Sequence, residues 1–259
     1  MLRFASLVRD ELNASAEEIA LVSRSGLDLE NLGIRYSHSG VSLKDGGEVP
    51  WAVRQLYYAC DEGRPRLYDQ GIAGFLFDTD RPQIGHVSIL LLPAEASRKL
   101  RQVALDKPRV LRLLASQYSA NAYPFSARYQ NCNQWVMELL ATAWGDLADG
   151  EDLRERAQAW LAAEGYAPAP IDVGSHLLKF AAAFMPLVHL DDHPEEDRFG
   201  LQFRVSLPAS MESFVRERLP QARRLELCHD EQQVVIRQGW KPIDKGCRPE
   251  AGDRVVRLD

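Results

Sequence analysis

Two β-prone segments flank a strong turn signal near the N-terminus, and they constrain the fold more than any other local feature. The first segment runs from Gly33 to Leu43 and is followed by the turn residues Lys44-Asp45-Gly46-Gly47. The second, Pro50 to Tyr58, alternates apolar and polar residues as a return strand does. Because Asp-Gly and Gly-Gly pairs favour tight hairpin turns, the sequence predicts an antiparallel hairpin over residues 34–58.

The rest of the chain mixes helical and strand patterns. Helical spacing predicts helices at 2–13, 94–105, 108–117, 132–144, 151–164, 175–187 and 209–218, and β-prone runs predict strands at 19–24, 86–92, 201–207, 223–228, 233–237 and 254–258. Residues 61–85 are rich in Asp, Gly, Arg and Pro and are predicted to form a long loop. Since no repeat or linker interrupts the chain, we expect a single α+β domain over residues 1–259.

Charge and hydropathy exclude several classes of protein. The chain has 31 Lys and Arg residues and 37 Asp and Glu residues, which gives a net charge of −6. The sequence contains no basic stripe of the kind that binds nucleic acid. The longest apolar runs, 89–93 and 180–188, are far shorter than the ~20 residues that a transmembrane helix needs. The first residues lack the pattern of a signal peptide, so a periplasmic location would require that a leader had been removed.

The four cysteines are Cys60, Cys132, Cys228 and Cys247. No CxxC pair is present, so a zinc ribbon is not expected, and four cysteines in so long a chain do not make a disulfide scaffold. One bridge remains open as an interpretation, for instance between Cys228 and Cys247.

Cys132 is the strongest candidate nucleophile because of its place at a predicted helix start. Asn131 suits the N-cap, and Gln134, three residues further on, fits the partner position of a capping box. A thiolate at the first helical position faces the positive end of the helix dipole, which stabilises it and makes it a better nucleophile. The alternative interpretation is a small buried cysteine that opens a structural helix.

A thiolate nucleophile needs an imidazole to take its proton, and His38 is the best candidate. Its neighbours Ser39 and Gly40 are small and leave room around the ring. Gln55, on the return strand of the hairpin, can accept a hydrogen bond from the imidazole, whereas Arg54 has no acceptor. The alternatives are a half-exposed strand histidine and an ordinary exposed glutamine. His86 fits a satisfied core or strand-end position better, although it stays open as the orienting residue.

The segment His189–Asp197 superficially resembles a metal site, with two histidines and five carboxylates in nine residues. It contains a proline and has no periodicity, whereas a metal site needs a rigid frame. We therefore expect a solvated acidic loop rather than a metal centre.

Together, Ser37-His38-Ser39-Gly40-Val41 and the later Asn131 to Val136 resemble the circularly permuted branch of the NlpC-type peptidases. In that branch the histidine strand precedes the cysteine helix, as here. The resemblance implies a papain-like core over about residues 19–145, with a helical and β-rich extension over 146–259. It also implies Cys132 as nucleophile, His38 as general base and Gln55 as the orienting residue.

Four further segments make the chain similar to a bacterial family with no assigned function. They are Trp51–Leu56, Cys60–Gly63, Leu67–Gly71 and Tyr118–Phe125. This second resemblance covers nearly the whole chain.

The resemblance implies a cysteine hydrolase that cleaves an amide or ester bond through an acyl-thioester and needs neither cofactor nor metal. The substrate stays open between a peptide amide, as in the bacterial cell wall, and a lipid acyl group, as in an acyltransferase or thioesterase. The alternative is a non-catalytic binding module whose cleft is lined by the charged segment 61–70 and by the aromatic run Tyr118, Tyr123, Phe125 and Tyr129.

Overall fold

A computed structural model describes residues 1–45 and 49–258 and shows a mixed α+β protein. Its strands are β1 (Ile19–Arg24), β2 (His38–Leu43), β3 (Ala52–Ala59), β4 (Arg64–Gln70), β5 (Gly85–Leu91), β6 (Ala169–Asp172), β7 (Gln202–Val205), β8 (Arg223–His229), β9 (Gln233–Gln238) and β10 (Arg254–Arg257). The α+β expectation is therefore confirmed.

The helices complete the chain order. They are α1 (Leu2–Ala14), α2 (Ile72–Phe77), α3 (Ala94–Leu105), α4 (Lys107–Arg112), α5 (Cys132–Trp144), α6 (Leu153–Ala163), α7 (His176–Ala182), α8 (Glu195–Gly200) and α9 (Pro208–Arg218). Short 3-10 helices cover Glu30–Leu32 and Leu190–Asp192. Within the described ranges, every helix is too short or too polar to span a bilayer.

Eight strands form one sheet in the order β10-β9-β8-β5-β1-β2-β3-β4, and β6 pairs with β7 separately. β1 lies inside the large sheet and pairs antiparallel with both β2 and β5. The C-terminal strand β8 pairs along its whole length with β5, so the tail adds strands to the main sheet, as the absence of a linker predicts.

The chain divides into two compact units. The first comprises Met1–Arg54, Asp69–Arg101 and Val215–Asp259, and the second comprises Gln55–Tyr68 and Gln102–Phe214. In the first unit, α1 buries Phe4, Val8 and Leu12 in an apolar cluster with strand residues such as Val22 and Ile89. Each such side chain contributes roughly 1.5–3 kcal/mol when it is fully buried, so this cluster is the main support of the unit.

The predicted hairpin is confirmed, because β2 and β3 are antiparallel with Val41 opposite Arg54 and Leu43 opposite Ala52. Its turn at Gly46-Gly47 lies outside the described residues. The first strand begins at His38 rather than at residue 34. The reason is that the preceding segment turns the side chains of Arg35 and Tyr36 toward a buried carboxylate.

The predicted loop over residues 61–85 is wrong. This segment contains β4 and α2. β4 is the edge strand of the sheet, and all but one of its residues are partly or fully exposed. An edge position explains why the strand tolerates Pro65 and carries charged residues instead of an apolar alternation. The helix predicted at 108–117 is also shorter than expected, because α4 ends at Arg112, and Pro108 lies in its first turn.

The carboxylate of Glu226 anchors the first unit from within the sheet. It is fully buried and bonds to Arg35 at 2.8 Å, to Arg224 at 3.2 Å, to the backbone N–H of Ile243 at 2.8 Å and to the Tyr36 hydroxyl. Burial alone would raise the pKa of Glu226, but Arg224, Tyr36 and the other donors outweigh it and lower the pKa. The ionised form is therefore part of the native structure.

Replacing Glu226 with glutamine should destabilise the fold by about 3–5 kcal/mol near neutral pH, because two arginines lose their buried counter-charge. The folded pKa lies below the unfolded one, so this stabilisation is complete above the unfolded pKa of about 4.3, declines below it, and is lost as the pH falls through the lower folded pKa. Urea unfolding at pH 7 and at a series of pH values below about 4 would measure both effects. The exposed Glu95→Gln is the control, with an expected change under about 0.5 kcal/mol. Equal stability of the two variants at pH 7 would contradict the assignment.

Candidate functional site

Cys132 is the first residue of α5, as the sequence predicts. The Asn131 side chain caps the helix, since its oxygen accepts the backbone N–H of Gln134 at 2.7 Å. The amide group of Asn131 also donates to the carbonyl oxygens of Ala120 and Ser206, at 3.3 and 3.4 Å. Three segments of the second unit therefore fix the turn that carries the thiol, which is 5% exposed.

The second half of the predicted capping box is wrong. The side-chain amide of Gln134 donates to the Glu138 carboxylate at 3.2 Å and to the carbonyl of Ser126 at 3.3 Å. Its own oxygen is buried and has no partner among the described residues. Gln134 points into the second unit because Glu138, one turn along α5, attracts its donor.

Glu138 is a fully buried carboxylate that holds α5 in place. It bonds to Arg154 of α6 through both oxygens, at 2.9 and 3.1 Å, and accepts from Gln130 at 2.6 Å and Gln158 at 2.7 Å. Arg154 also donates a hydrogen bond to the carbonyl oxygen of Tyr129 at 3.0 Å. Because each of its oxygens has more than one donor, this charge is compensated inside the protein.

Tyr118 lies beside Cys132 within the second unit, a placement that the sequence does not reveal. The Tyr118 segment forms a parallel bridge with Gln130, and the N–H of Ser119 donates to the Gln130 carbonyl at 3.2 Å. Desolvation of the hydroxyl raises the pKa of Tyr118, and the nearby sulfur of Cys132 raises it further. The hydroxyl is therefore a stable proton donor near the thiol. The only signal in the sequence is that Tyr118 opens the aromatic run.

His38 is the first residue of β2, in the first unit, and lies opposite Arg24 of β1. It is buried rather than half-exposed, and its ring centre is 5.9 Å from that of Phe75. Arg24 is itself buried and pairs with Asp78 at 2.9 Å. The sequence predicts room around the ring because Ser39 and Gly40 are small, but both of these residues are buried as well.

Gln55 is fully buried in β3, so the interpretation as an ordinary exposed glutamine is wrong. Its neighbour Arg54 makes a two-pronged pair with Asp69, at 2.7 and 2.6 Å. Arg54 thus donates to a carboxylate. It has no atom that could accept a hydrogen bond from the His38 imidazole, as the sequence indicates.

His86 occupies the second position of β5, where its strand partner is Cys228. Its Nε2 atom is 3.1 Å from the carbonyl oxygen of Asp244 and 3.0 Å from the Cys228 sulfur. Burial lowers the pKa of His86. Cys228 and Cys247 form a disulfide, which confirms the bridge suggested by the sequence. His86 is therefore a satisfied core residue, as expected.

The segment from His189 to Asp197 is only partly the solvated acidic loop that the sequence predicts, because some of its side chains form internal hydrogen bonds. Asp192 accepts the backbone N–H of Tyr123 at 2.9 Å and the hydroxyl of Ser126 at 2.6 Å. Buried His193 approaches the carbonyl of Asn121 at 2.6 Å. Asp192 and the buried Asp197 are thus internal hydrogen-bond acceptors, whereas Asp191, Glu195 and Glu196 are exposed. The partners of Asp192 lie too far away in sequence for the local pattern to reveal them.

The aromatic run proposed for a binding module is mostly packed within the second unit, whereas residues 61–64 of the proposed charged segment are exposed. Tyr129 is buried and stacks on His189 with ring centres 4.3 Å apart. Tyr123 packs edge-on against Phe125 at 5.8 Å. These contacts favour internal packing for most of the aromatic run.

Comparison with known proteins identifies a family but no activity. The family described as "Uncharacterized protein conserved in bacteria (DUF2145)" matches residues 11–215. No curated protein matches the chain. No solved structure matches it either. The expected similarity to a bacterial family with no assigned function is confirmed.

Asn131→Ala should destabilise the protein by roughly 1–2 kcal/mol, because it removes the cap of α5. It should also slow alkylation of Cys132, since the turn that carries the thiol loses its anchors. Thermal unfolding and iodoacetamide labelling, followed by mass spectrometry, would measure the two effects. Ser175→Ala is the matched control, because Ser175 caps the exposed helix α7. A slower Cys132 reaction in both variants would show that the effect is not specific to the cap.

Proposed function

The chain belongs to this family of uncharacterized bacterial proteins, and on that premise we propose that it is a cysteine hydrolase that opens an amide or ester bond through an acyl-thioester on Cys132. The observation that carries the proposal is the placement of Cys132 at the capped start of α5 beside Tyr118. A thiolate there is stabilised by the helix dipole, and a neutral hydroxyl donor is close by.

The reaction that we propose has two steps. The Cys132 sulfur attacks the carbonyl carbon, His38 takes the thiol proton, and the leaving amine or alcohol receives that proton as its bond breaks. Water then attacks the thioester, His38 takes a proton from it, and the acid product leaves as the Cys132 thiol re-forms. The Tyr118 hydroxyl and the first backbone N–H groups of α5 would hold the oxyanion in both steps. The mechanism requires the sulfur to come within ~3–4 Å of the imidazole.

Strand geometry supports Gln55 as the residue that orients His38. Ser42 of β2 and Val53 of β3 are direct partners, so their side chains share one face of the sheet. Alternation along β2 brings His38 to the face of Ser42, and alternation along β3 brings Gln55 to the face of Val53. Its buried amide oxygen is the acceptor that an imidazole N–H needs.

The order of the elements supports a circularly permuted, papain-like interpretation of the fold. The strand with His38 precedes the helix with Cys132, which is the arrangement of the permuted NlpC-type branch. An antiparallel sheet and a separate cysteine helix are present, as that interpretation requires. The substrate that we favour is a peptide amide, as in the bacterial cell wall.

A lipid acyl group is the second candidate substrate, and the apolar surface around α7 favours it. Leu177, Phe180, Phe184 and Phe199 are 77, 64, 74 and 72% exposed. Large exposed apolar side chains in a cluster are typical of surfaces that meet lipid or another protein. Turnover of a cell-wall stem peptide and of a glycerophospholipid in vesicles, measured in parallel, distinguishes the two substrates.

If Cys132 is an activated nucleophile, iodoacetamide at pH 6 should modify it at least about tenfold faster than Cys60, although Cys60 is the more exposed thiol. His38→Gln should abolish this difference, because the general base is lost. Tyr118→Phe should preserve the labelling and slow turnover of an activated ester by roughly 10²–10³-fold. Labelling rates across pH, read by mass spectrometry of the two peptides, provide the measurement.

Two outcomes would instead support a non-catalytic binding module. One is slower labelling of Cys132 than of Cys60 at every pH. The other is ester turnover that is unchanged in Cys132→Ser.

Gln55→Met should lower the Cys132 labelling rate while it largely preserves stability, because methionine keeps the volume and removes the acceptor. His86→Ala should do the reverse, because the ring of His86 packs against the Cys228–Cys247 bridge and its loss disturbs a buried strand. Thermal unfolding and labelling on both variants would separate the two residues. Loss of labelling in His86→Ala at an unchanged melting temperature would reassign the orienting residue to His86.

A further inference from the structure

A second group of reactive side chains lies at the opposite side of β1 from β2, on β5, β8 and the loop that follows β9. His86, Cys228 and Cys247 are all buried, and their nitrogen and sulfur ligand atoms lie within 4.8 Å of one another. We call these residues the His–Cys cluster. His86 and Cys228 are direct strand partners, and the Cα atoms of Cys228 and Cys247 are 5.4 Å apart.

We propose that the His–Cys cluster is a redox-controlled site for a soft divalent metal ion, with Zn²⁺ as the fitting species. In the oxidised protein the two cysteines form the disulfide, and the imidazole packs against it. In the reduced protein two thiolates and the Nε2 atom of His86 bind the ion. Sulfur and imidazole ligands are the set that zinc prefers.

The geometry needs only a small rearrangement. Tetrahedral zinc with Zn–S near 2.3 Å and Zn–N near 2.0 Å places its ligand atoms about 3.3–3.8 Å apart. The His86 Nε2 atom is already 3.0 Å from the Cys228 sulfur. Once the disulfide is broken, rotation of the Cys247 side chain would move its sulfur away from the Cys228 sulfur to the distance that two zinc ligands need. The strand pairing of His86 and Cys228 keeps two of the ligands fixed.

The surroundings suit a neutral metal complex. Cys228 and Cys247 pack in an apolar cluster with Val235 and Ile243, and two thiolates cancel the charge of one divalent ion. The Asp244 carbonyl oxygen is 3.1 Å from the His86 Nε2 atom, and this contact would be exchanged for the bond to the ion. A cavity lined by His86, Lys245 and other residues borders the imidazole.

The two states interconvert by balanced steps. Reduction breaks the sulfur–sulfur bond and adds two electrons and two protons, which a dithiol supplies as it becomes a disulfide. Metal binding then displaces one proton from each thiol. In the reverse direction, that disulfide oxidises the two cysteines and becomes a dithiol again, which expels the ion and restores the bridge.

The test uses the full chain as Cys60→Ser/Cys132→Ser, in which the cluster holds the only cysteines. After reduction with a phosphine under nitrogen, Co²⁺ should bind at one ion per chain with thiolate charge-transfer bands, and Zn²⁺ should displace it. The oxidised chain should bind neither ion. His86→Ala or Cys247→Ser in this background should weaken binding by at least about 10–100-fold.

Three results would overturn the proposal. They are the absence of cobalt binding by the reduced chain, cobalt binding without thiolate bands, and binding by Cys247→Ser as tight as that of its parent. If reduction alone unfolds the chain, Zn²⁺ must restore its circular dichroism, and failure to do so also overturns the site. None of these readouts depends on Cys132, so they are independent of the proposed hydrolase activity.

Discussion

The buried carboxylate of Glu138 is the interaction on which the surroundings of Cys132 depend. An uncompensated charge in the interior would cost several kcal/mol, so the packing must bring all its donors together. Arg154 comes from α6 and Gln130 from the segment just before α5. Since Gln130 is two residues before Cys132, the charge that holds the helix also fixes the approach to the thiol. The bridge between Gln130 and Tyr118 extends this order to the hydroxyl.

The first unit contains an equivalent buried and fully hydrogen-bonded carboxylate, that of Glu226. Tyr36, which donates to Glu226, is two residues before His38, as Gln130 is two residues before Cys132. In both units a fully buried glutamate is satisfied by a side chain that immediately precedes a candidate catalytic residue. Stability and placement of the reactive group are thus coupled, because neither segment can shift without leaving a buried charge without its donors.

The sequence predicts what is locally encoded. The bounds of α5 follow from the Asn131 cap and an apolar stripe, and β1 is predicted residue for residue. Prediction from the sequence fails where a partner far away along the chain determines the local structure. β4 exists because β3 offers it an edge, and the acidic side chain of Asp192 is internal because Tyr123 and Ser126 reach it from far away in sequence. For the candidate site, the residue types and their order along the chain can be predicted from the sequence. The burial of Gln55 and the proximity of Tyr118 to Cys132 are visible only in the structure.

The four cysteines divide into one bonded pair and two free thiols. Cys228 and Cys247 are bonded to each other, and disulfides of this kind persist where the surroundings are oxidising. In such surroundings an accessible thiolate is open to oxidation, and only its environment protects it. Cys132 is buried and Cys60 is exposed. Burial limits oxidation of the Cys132 sulfur, but it also disfavours the charged thiolate. In the proposed reaction the helix dipole and the Tyr118 hydroxyl would have to offset this cost.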